Sequence, residues 1–322
     1  SLGGPVRPLI QLANGVRFFT GFVPSFSALG HRARALHFDP LRADFGGQRW
    51  LVTGASTGLG RVIAREAARA GADVVAVARS PEALAALARE AADDRGCIRP
   101  RSVDLSRTGG IDALADETIA AGSLDVLVNN VGILPLEPTR TAEGLDTAFA
   151  VNLVGPWQLT ERLRAANRLA AGGAVITMTS GGLYNVPLSL SNLERPRRWD
   201  GTLAYAFHKR AQLALNHRWR ADPRGVDYYV THPGWAATPG VSRSLPTFER
   251  VLGPLLRTPE EGADTALWLA ATRPPQPHPE GIWFDRTLRS EHLLWGTRDG
   301  DDEAAVLGAL AAALERARAV SG

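Results

Sequence analysis

Residues 50–62 have the sequence WLVTGASTGLGRV, in which a short apolar run is followed by three closely spaced glycines. The apolar run predicts a buried strand, and the residues that follow the glycines predict a helix. Gly54, Gly58 and Gly60 therefore lie in a strand-to-helix turn. Without side chains, such a turn lets the backbone approach a pyrophosphate held at the helix N-terminus. The alternative is a glycine-rich turn that binds nothing, and the surrounding chain bears on that choice.

Strand-like and helix-like segments alternate after this turn. Ser80 and Pro81, for example, predict the first residues of a helix. The further β-branched or apolar runs are residues 72–78, 97–105, 124–130, 172–180 and 225–234. Near-continuous apolar strands that alternate with helices indicate a parallel sheet covered on both faces. We predict an α/β fold with a doubly wound (Rossmann-type), seven-stranded parallel sheet and helices on both faces.

The alternating pattern extends over residues 46–290, which we predict to be a single Rossmann-type domain. Residues 1–45 are predicted to be a partly helical N-terminal extension. Residues 291–322 are predicted to be a C-terminal tail with a helix near 302–319, preceded by acidic residues that suit a helix N-terminus. Apolar residues recur at helical spacing in the extension. This face either packs on the chain's own domain or across a dimer, or residues 7–26 contact a membrane surface or a partner.

Composition and charge narrow the function classes. The chain has 322 residues, of which 45% are hydrophobic and 21% charged, as in a globular domain with ample core. The net charge is only +3, without blocks of like charge, so we expect no nucleic-acid partner. No apolar run reaches the roughly 18–20 residues that span a bilayer, and we expect a cytoplasmic protein, at most peripheral to a membrane. Cys97, the single cysteine, is expected to be buried in a strand. The histidines lack ligand spacing, so we expect no metal site.

The lysine content points to one position. Lys209 is the only lysine among 36 lysine and arginine residues, and it lies four residues after Tyr205. The two side chains therefore share one face of a helix. Lowering a tyrosine pKa from about 10 by about three units requires roughly 4 kcal/mol, which a cation about 4 Å away supplies at an intermediate dielectric constant. A compact ammonium group suits this task better than a planar guanidinium. The alternative is a surface helix on which the pair has no role.

Further motifs follow the glycine-rich turn in a definite order. They are NNVG at 129–132, Asn152 in VNLVG, Ser180 in ITMTS, Tyr205 and Lys209 in YxxxK, and HPGW at 232–235. With TGxxxGxG at 53–60, they resemble the short-chain dehydrogenase/reductase family over about residues 48–290. The segments TSGGLYN and EGADTALWLA are most similar to its subgroup called dehydrogenase/reductase SDR family member 12. The resemblance implies an oxidoreductase that transfers a hydride between a nicotinamide cofactor and a CH–OH group.

The resemblance also implies a role for each matching residue. Tyr205 would donate or accept the proton, and Ser180 would hydrogen-bond the substrate oxygen. Thr179 competes with Ser180, which we prefer because the family's serine is the second of the two hydroxyl residues. Asn152 would hold, through its backbone and a water, a relay that reaches Lys209. The cofactor would contact Gly54, Ser56, Thr57, Gly58, Leu59, Gly60, Arg79, Asp104, Leu105, Asn130, Val131, Gly132, Tyr205, Lys209, Pro233, Gly234 and Thr238.

The end of the second strand bears on the choice of cofactor. Enzymes that use NAD place an acidic residue there, which binds the ribose 2′-hydroxyl. Here Ala78 occupies that position and Arg79 follows, while Asp73 lies at the other end of the strand. An arginine can bind a 2′-phosphate through paired, charge-assisted hydrogen bonds. We therefore predict that NADP(H) is preferred. If Arg79 is merely a solvated residue before a helix, NAD(H) is the alternative.

An insert separates Ser180 from Tyr205. The two residues are 25 positions apart, about twice the usual distance in the family. The large apolar residues of the insert (residues 181–204) are Tyr184, Leu188, Leu190, Leu193 and Trp199. We predict that they form a wall of the substrate pocket, and a surface excursion is the alternative. Residues 241–256 add a second apolar segment where the family places its substrate loop, so the expected substrate is a small hydrophobic ketone or alcohol.

Two function classes remain open. The first is the oxidoreductase, which the complete Asn–Ser–Tyr–Lys set favours. The second is a nucleotide-binding sensor or scaffold of the same fold, which would not need the tyrosine. An epimerase or dehydratase of the extended branch is disfavoured, because that branch generally has TGxxGxxG spacing. A homo-oligomer is compatible with each class.

Overall fold

The structure of the protein is a computed structural model that describes residues 21–194, 199–221, 224–240, 250, 252–276, 280–294 and 296–321. Its strands are β1 (Arg49–Thr53), β2 (Asp73–Ala78), β3 (Cys97–Ser102), β4 (Leu124–Asn129), β5 (Leu169–Met178), β6 (Asp227–Thr231), β7 (Ile282–Phe284) and β8 (Thr287–Arg289). They form one sheet in the order β3-β2-β1-β4-β5-β6-β7-β8. The first seven strands are parallel. The strand order reverses at β1 and β4, which is where a doubly wound sheet binds its ligand.

Helices cover both faces of this sheet, as predicted. They are α1 (Val23–Phe26), α2 (Ala28–Ala35), α3 (Gly58–Arg69), α4 (Pro81–Glu90), α5 (Thr108–Ala120), α6 (Thr147–Phe149), α7 (Gly155–Ala165), α8 (Gly201–Arg220), α9 (Pro259–Thr272) and α10 (Ala304–Ser321). A π-helical turn, Ala150–Val154, joins α6 to α7. Neighbouring residues of a strand point to opposite faces. Leu51 accordingly belongs to the core under α5, α7, α8 and α10, and Val52 to the core under α3, α4 and α9.

The prediction of seven strands is wrong by one, because a short hairpin follows β7. β8 pairs antiparallel with β7, and Phe284 lies opposite Thr287, so only Asp285 and Arg286 connect them. Both residues have positive φ, 47° and 57°, as a type I′ turn requires. Such turns usually have the sequence Asn-Gly or Asp-Gly, and the arginine here conceals the hairpin in the sequence. Asp285 is buried and is paired with Arg257 at 2.6 Å, which holds the turn in place.

Cys97 does not have the buried position that the sequence suggested. It is exposed, and its Sγ donates a hydrogen bond to Asp73 Oδ1 at 3.2 Å. β3 is the edge strand of the sheet, and Ile98 is the only one of its residues that is buried. An edge strand covered on one side buries few of its side chains, which the residue pattern alone does not reveal.

The described part of the N-terminal extension packs on the Rossmann-type domain. Phe22 and Phe26 are buried, and their rings stack with centroids 4.9 Å apart. The centroid of the Phe26 ring lies 6.2 Å from that of Tyr184. The backbone carbonyl of Phe26 accepts a hydrogen bond from Arg257 Nε at 2.9 Å. Residues 7–20 lie outside the described residues. Contact of residues 7–26 with a membrane surface and assembly into a homo-oligomer therefore stay predictions.

Three of the five large apolar residues of the insert lie in the core rather than in the predicted pocket wall. Tyr184, Leu188 and Leu193 are all buried. Leu188 and Leu193 join the core that also contains Leu310 of α10. The C-terminal helix provides an apolar face for the insert, and sequence distance concealed this pairing. Trp199 remains half-buried, and its Nε1 donates a hydrogen bond to the Leu136 carbonyl at 3.1 Å.

A charged cluster anchors the C-terminal half of α8. His217 Nε2 lies 2.7 Å from Glu291 Oε1, and its Nδ1 lies 3.0 Å from the Glu303 carboxylate. Burial opposes a charge on His217, but the hydrogen bonds to both carboxylates outweigh it and raise the pKa to about 9. The imidazolium is therefore the native form at neutral pH, and it ties α8 to the C-terminal tail.

This pairing predicts a pH-dependent stability. The pKa of His217 is higher in the folded protein than its ordinary value of 6.5, so the native state binds the proton more tightly than the unfolded state. The resulting stabilisation is complete below pH 6.5 and is lost as the pH rises through about 9. We expect His217→Gln to remove a pH-dependent contribution on the order of 2 kcal/mol, measured by urea unfolding across this range. An unchanged pH dependence in the variant would contradict the assignment.

Candidate active site

Tyr205, Lys209 and Ser180 meet at the carboxyl end of β5. The Asp200 side chain accepts a hydrogen bond from the Leu203 amide at 3.0 Å and caps the start of α8. Tyr205 and Lys209 then lie one turn apart, with Lys209 Nζ 5.4 Å from the centroid of the Tyr205 ring. Ser180 lies just after β5, and its hydroxyl is close enough to the Tyr205 hydroxyl to act on the pKa of that group. The structure thus brings together three residues that the sequence separates by up to 29 positions.

Lys209 is held in the protein interior. Its side chain is buried, and Nζ donates a hydrogen bond to the Met178 carbonyl at 2.8 Å. Burial lowers the pKa of Lys209 to about 7. On another side lies Gly132, where an added Cβ would be 3.4 Å from Nζ. The head group therefore occupies a narrow space between the end of β5 and the loop after β4.

The pKa of Tyr205 is shifted in the direction opposite to the one the sequence suggested. Burial raises it to about 12, and the nearby Ser180 hydroxyl offsets only part of this effect. The sequence reveals the charge of Lys209 but not the removal of both groups from water. Desolvation disfavours the phenolate and the ammonium alike. In the protein alone, Tyr205 is therefore a neutral phenol that can donate a proton at neutral pH.

Ser180 is better placed than Thr179 to contact a substrate. Thr179 is buried, and its Oγ1 donates a hydrogen bond to the backbone carbonyl of Lys209 at 3.1 Å. Ser180 is only half-buried, and its Oγ accepts a hydrogen bond from the Gly182 amide at 3.3 Å. The Thr179 hydroxyl thus serves to attach β5 to α8, while the Ser180 hydroxyl lies beside Tyr205.

Asn152 is buried in the π-helical turn between α6 and α7. Its Oδ1 accepts a hydrogen bond from the Ile133 amide at 2.7 Å, and its Nδ2 donates one to the Ile133 carbonyl at 2.8 Å. The backbone carbonyl of Asn152 accepts a hydrogen bond from Gln212 Nε2 at 2.8 Å. A water relay from this carbonyl to Lys209 stays a prediction, and it would share the oxygen with Gln212. The side chain itself fixes the loop after β4.

His208 belongs to this site, although the sequence analysis assigned it no role. It is fully buried, with Nε2 2.6 Å from the Leu193 carbonyl and Nδ1 3.3 Å from Asn152 Nδ2. Burial lowers the pKa of His208 to about 4, so the ring is neutral at neutral pH. Its position next to Lys209 was the only signal in the sequence, and the contact with Leu193 depends on how the insert folds.

The glycine-rich turn after β1 forms a cradle against Asn130. Gly54 has a φ of 70°, and a Cβ added there would be 2.9 Å from Asn130 Nδ2. A Cβ on Gly60 would lie 2.4 Å from the same atom, so neither position tolerates a side chain. α3 begins after Thr57, whose side chain makes no capping hydrogen bond within the described part of the chain. The amides of its first turn are therefore available to an anionic group, and the cradle fits a dinucleotide pyrophosphate.

The other predicted cofactor residues lie at the same edge of the sheet. Thr238, in the loop after β6, comes close to the glycine-rich turn, since its Cγ2 is 3.2 Å from the Cβ position of Gly58. Those that lie in the turn itself or follow strands β3, β4 and β6 are Ser56, Leu59, Asp104, Leu105, Val131, Gly132, Pro233 and Gly234. A doubly wound sheet binds its ligand outside this edge, and we call the region from the glycine-rich turn to Tyr205 and Lys209 the cofactor cleft. The individual roles of these residues stay predictions.

Arg79 lies at the outer end of this cleft. It is exposed and directly follows Ala78, the last residue of β2. Within the described residues, its guanidinium has no carboxylate partner. Asp73 lies at the opposite end of β2 and pairs with Arg99, Nε to Oδ1, at 2.6 Å. The cleft therefore has a positive charge and no acidic side chain at the position that distinguishes a ribose hydroxyl from a phosphate.

Two large apolar side chains near the start of α8 are exposed. Leu136, in the loop after β4, is 68% exposed, and Leu203, in the first turn of α8, is 40% exposed. Trp199 is bonded to the Leu136 carbonyl and joins these two elements. Most of the second predicted apolar segment, residues 241–249 and 251, lies outside the described residues. Among those that are described, no group of His, Cys, Asp and Glu side chains could hold a metal ion.

Comparison with known proteins identifies the family. A family model described as short chain dehydrogenase matches residues 48–189. Dehydrogenase/reductase SDR family member 12 of Homo sapiens is 33% identical over 295 residues, which cover 89% of this chain and 90% of that protein. The chain belongs to the short-chain dehydrogenase/reductase family. Retinol dehydrogenase 12 of Homo sapiens is also similar, at 30% identity over 68% of this chain and 72% of its own length.

Solved structures agree with this membership. A candidate NAD(P) dependent gluconate 5-dehydrogenase from Beutenbergia cavernae, with bound NADP, has a TM-score of 0.59 and 28% identity. The match covers 71% of this chain and 91% of that one. A dehydrogenase/reductase from Sinorhizobium meliloti matches at a TM-score of 0.57 and 28% identity, over 71% and 89% of the two chains. The predicted family and fold are confirmed. As a member, the protein is an NAD(P)-dependent oxidoreductase that acts on CH–OH groups. None of its described helices is long and apolar enough to span a membrane.

Proposed function

We propose that the protein interconverts hydrophobic ketones and secondary alcohols, with NADP(H) as the preferred cofactor and Tyr205 as the acid and base. The position of the Ser180 hydroxyl beside Tyr205, with Lys209 one turn further along α8, carries this proposal. A nicotinamide bound in the cleft would supply or accept the hydride. A sensor or scaffold of the same fold would have no use for a phenol placed between a hydroxyl and an amine.

The side chains divide the work at the substrate oxygen. Tyr205 is a neutral phenol in the protein alone and can give its proton to a carbonyl oxygen as that oxygen becomes an alcohol. Ser180, beside it, can hold the same oxygen through a second hydrogen bond. The Lys209 ammonium lies behind the Tyr205 ring and stabilises the phenolate that remains. In the reverse direction the phenolate takes the proton from the alcohol.

A hydrophobic substrate is supported by exposed apolar side chains in the loop after β4 and at the start of α8 rather than by the buried part of the insert. Leu136 and Leu203 are large apolar side chains that remain exposed. Burying such a side chain against an apolar ligand gains about 25 cal/mol per Å² of apolar surface. The similarity to retinol dehydrogenase 12, whose name denotes an apolar alcohol substrate, points the same way.

A screen for turnover tests this proposal. Ketones and secondary alcohols of increasing apolar size are incubated with NADPH or NADP⁺, and the nicotinamide absorbance is followed. We expect kcat/KM to rise with apolar size. Tight NADPH binding without turnover of any compound would instead favour the sensor or scaffold.

NADP(H) preference gives a separate prediction at Arg79 and Ala78. A charge-assisted hydrogen bond contributes about 1.5–3 kcal/mol, so we expect NADPH to bind at least about tenfold more tightly than NADH. Arg79→Ala should remove most of this preference. Ala78→Asp should reverse it, because a carboxylate repels the 2′-phosphate and binds the ribose hydroxyl. NADPH and NADH are each titrated into the wild type and into both variants. Tryptophan fluorescence or calorimetry then gives the dissociation constant of each cofactor for each protein.

The matched control is Arg99→Ala. Arg99 is also an exposed arginine on a neighbouring strand, but it pairs with Asp73 at the opposite end of β2. This variant should keep the wild-type ratio of affinities. Equal affinities in the wild type, or a preference that survives Arg79→Ala, would move phosphate recognition to another residue, such as Thr57.

A further inference from the structure

The imidazole of His208 connects three separate segments of the chain. Its Nε2 is 2.6 Å from the carbonyl of Leu193, which lies in the insert. Its Nδ1 is 3.3 Å from Asn152 Nδ2, in the π-helical turn. The ring itself projects from α8, between Phe207 and Lys209, and is completely buried. Buried polar atoms with two well-placed partners are constrained in orientation, so the ring has one arrangement that satisfies both.

The partners determine the tautomer of His208. A backbone carbonyl only accepts hydrogen bonds, so Nε2 must carry the proton that faces Leu193. Nδ1 then has a free lone pair, which accepts from the amide of Asn152. Asn152 Nδ2 has two hydrogens, and the other is donated to the Ile133 carbonyl at 2.8 Å. Every donor and acceptor in this chain of contacts is matched.

Asn152 transmits the constraint to the cofactor cleft. Its side-chain oxygen accepts a hydrogen bond from the Ile133 amide, and its side-chain nitrogen donates one to the Ile133 carbonyl. The residue before Ile133 is Gly132, whose Cβ position is 3.4 Å from Lys209 Nζ and 3.7 Å from Asn152 Oδ1. The orientation of the Asn152 amide therefore sets where the backbone of the loop after β4 lies relative to the Lys209 ammonium.

We infer that His208 is a positioning residue that couples the insert to the cofactor cleft, by holding Asn152 between the Leu193 carbonyl and the Ile133 backbone. The inference rests on the proposed function, because it assumes that the cleft holds the nicotinamide cofactor. His208 itself touches neither the cofactor cleft nor the substrate oxygen. Its effect passes through Asn152 to residues 131–133 in the loop after β4. The position of the insert and the shape of the cofactor cleft therefore depend on each other.

The test compares His208→Phe with His208→Gln in the full chain. Phenylalanine keeps the ring shape but removes both hydrogen bonds, which leaves the second Asn152 amide hydrogen and the Leu193 carbonyl without partners. Glutamine offers an amide donor and a carbonyl acceptor at the end of a chain of similar length. We expect His208→Phe to raise the NADPH dissociation constant at least about tenfold. His208→Gln should restore it to within about threefold of the wild type.

His217→Gln is the matched control on the same helix. It disturbs the far end of α8, where His217 contacts Glu291 and Glu303, away from the 131–133 loop. It should leave the NADPH dissociation constant within about twofold of the wild type even though it alters stability. A similar loss of NADPH affinity in His217→Gln and His208→Phe would overturn the inference, because the effect would then be general loosening of α8.

A measurement on the wild type keeps the inference testable if His208→Phe does not fold. The ¹⁵N chemical shifts of the imidazole distinguish a protonated Nε2 from a protonated Nδ1. We expect the Nε2–H form, unchanged from pH 8 to pH 6. The Nδ1–H form, or NADPH affinity that is equal in the wild type and His208→Phe, would overturn the inference. Absence of turnover in the wild type would contradict the proposed function but would leave the tautomer and the NADPH affinities as tests of His208.

Discussion

Tyr205→Phe is expected to lower kcat by at least about 10³-fold, because general acid–base catalysis by a positioned side chain contributes about 10²–10⁴-fold. The phenylalanine ring fills the same space and keeps the contact of Lys209 with the ring face. Only the hydroxyl beside Ser180 is removed. NADPH affinity should therefore change by less than about threefold, since the lost group acts on the substrate proton. Single-turnover kinetics and a fluorescence titration of NADPH separate the two quantities.

Tyr184→Phe is the control for this substitution. Tyr184 is buried, whereas Tyr205 is half-buried, and the Tyr184 hydroxyl has no hydrogen-bond partner among the described residues. Removing that hydroxyl relieves an unpaired polar group, so kcat should remain within about twofold and stability should not fall. A loss of NADPH affinity in Tyr205→Phe as large as the loss of kcat would contradict the role of Tyr205, because the hydroxyl would then be needed for cofactor binding.

The part of the fold that the sequence predicted is the part that repeats one pattern. Most of the parallel strands are apolar runs followed by a helix, and the glycine-rich turn marks the first of them. The hairpin of β7 and β8 could not be predicted, because contacts with residues distant in sequence hold Asp285 and Arg286 at positive φ. Arg257, distant in sequence, holds Asp285 in that conformation.

The site was predictable where one helix turn or one strand end fixes a position. Tyr205 and Lys209 are four residues apart on α8, and Ser180 ends its strand, so their proximity follows from periodicity and sheet geometry. The pKa of Tyr205 was not predictable, because its direction depends on desolvation of a site whose depth the sequence does not show. The role of His208 could not be predicted, because its partners come from the insert and the π-helical turn and neither segment has a periodic pattern.

Lys209→Arg is expected to lower kcat at least about 100-fold even though it keeps the positive charge. The side chain of Lys209 is 1% exposed, and its Nζ donates a hydrogen bond to the Met178 carbonyl. The Cβ position of Gly132 lies only 3.4 Å from Nζ, so a planar guanidinium cannot enter without moving the loop after β4. A packed interior transmits such a movement to its neighbours. The hydrogen bond from the Ile133 amide to Asn152 Oδ1 fixes the same loop. Because this loop borders the cofactor cleft, NADPH affinity should fall as well.

Lys209 and an arginine at this position also differ in their protonation near neutral pH. Burial lowers the pKa of Lys209 to about 7, so the amine exchanges a proton near neutral pH, whereas arginine stays protonated. The wild type should show a change in kcat near this pH that Lys209→Arg lacks. Arg218→Lys, an exposed exchange of the same two residue types on α8, should leave both kcat and the NADPH dissociation constant within about twofold. Near wild-type turnover by Lys209→Arg would show that the site needs only a positive charge there, and that the solitary lysine of this chain has another origin.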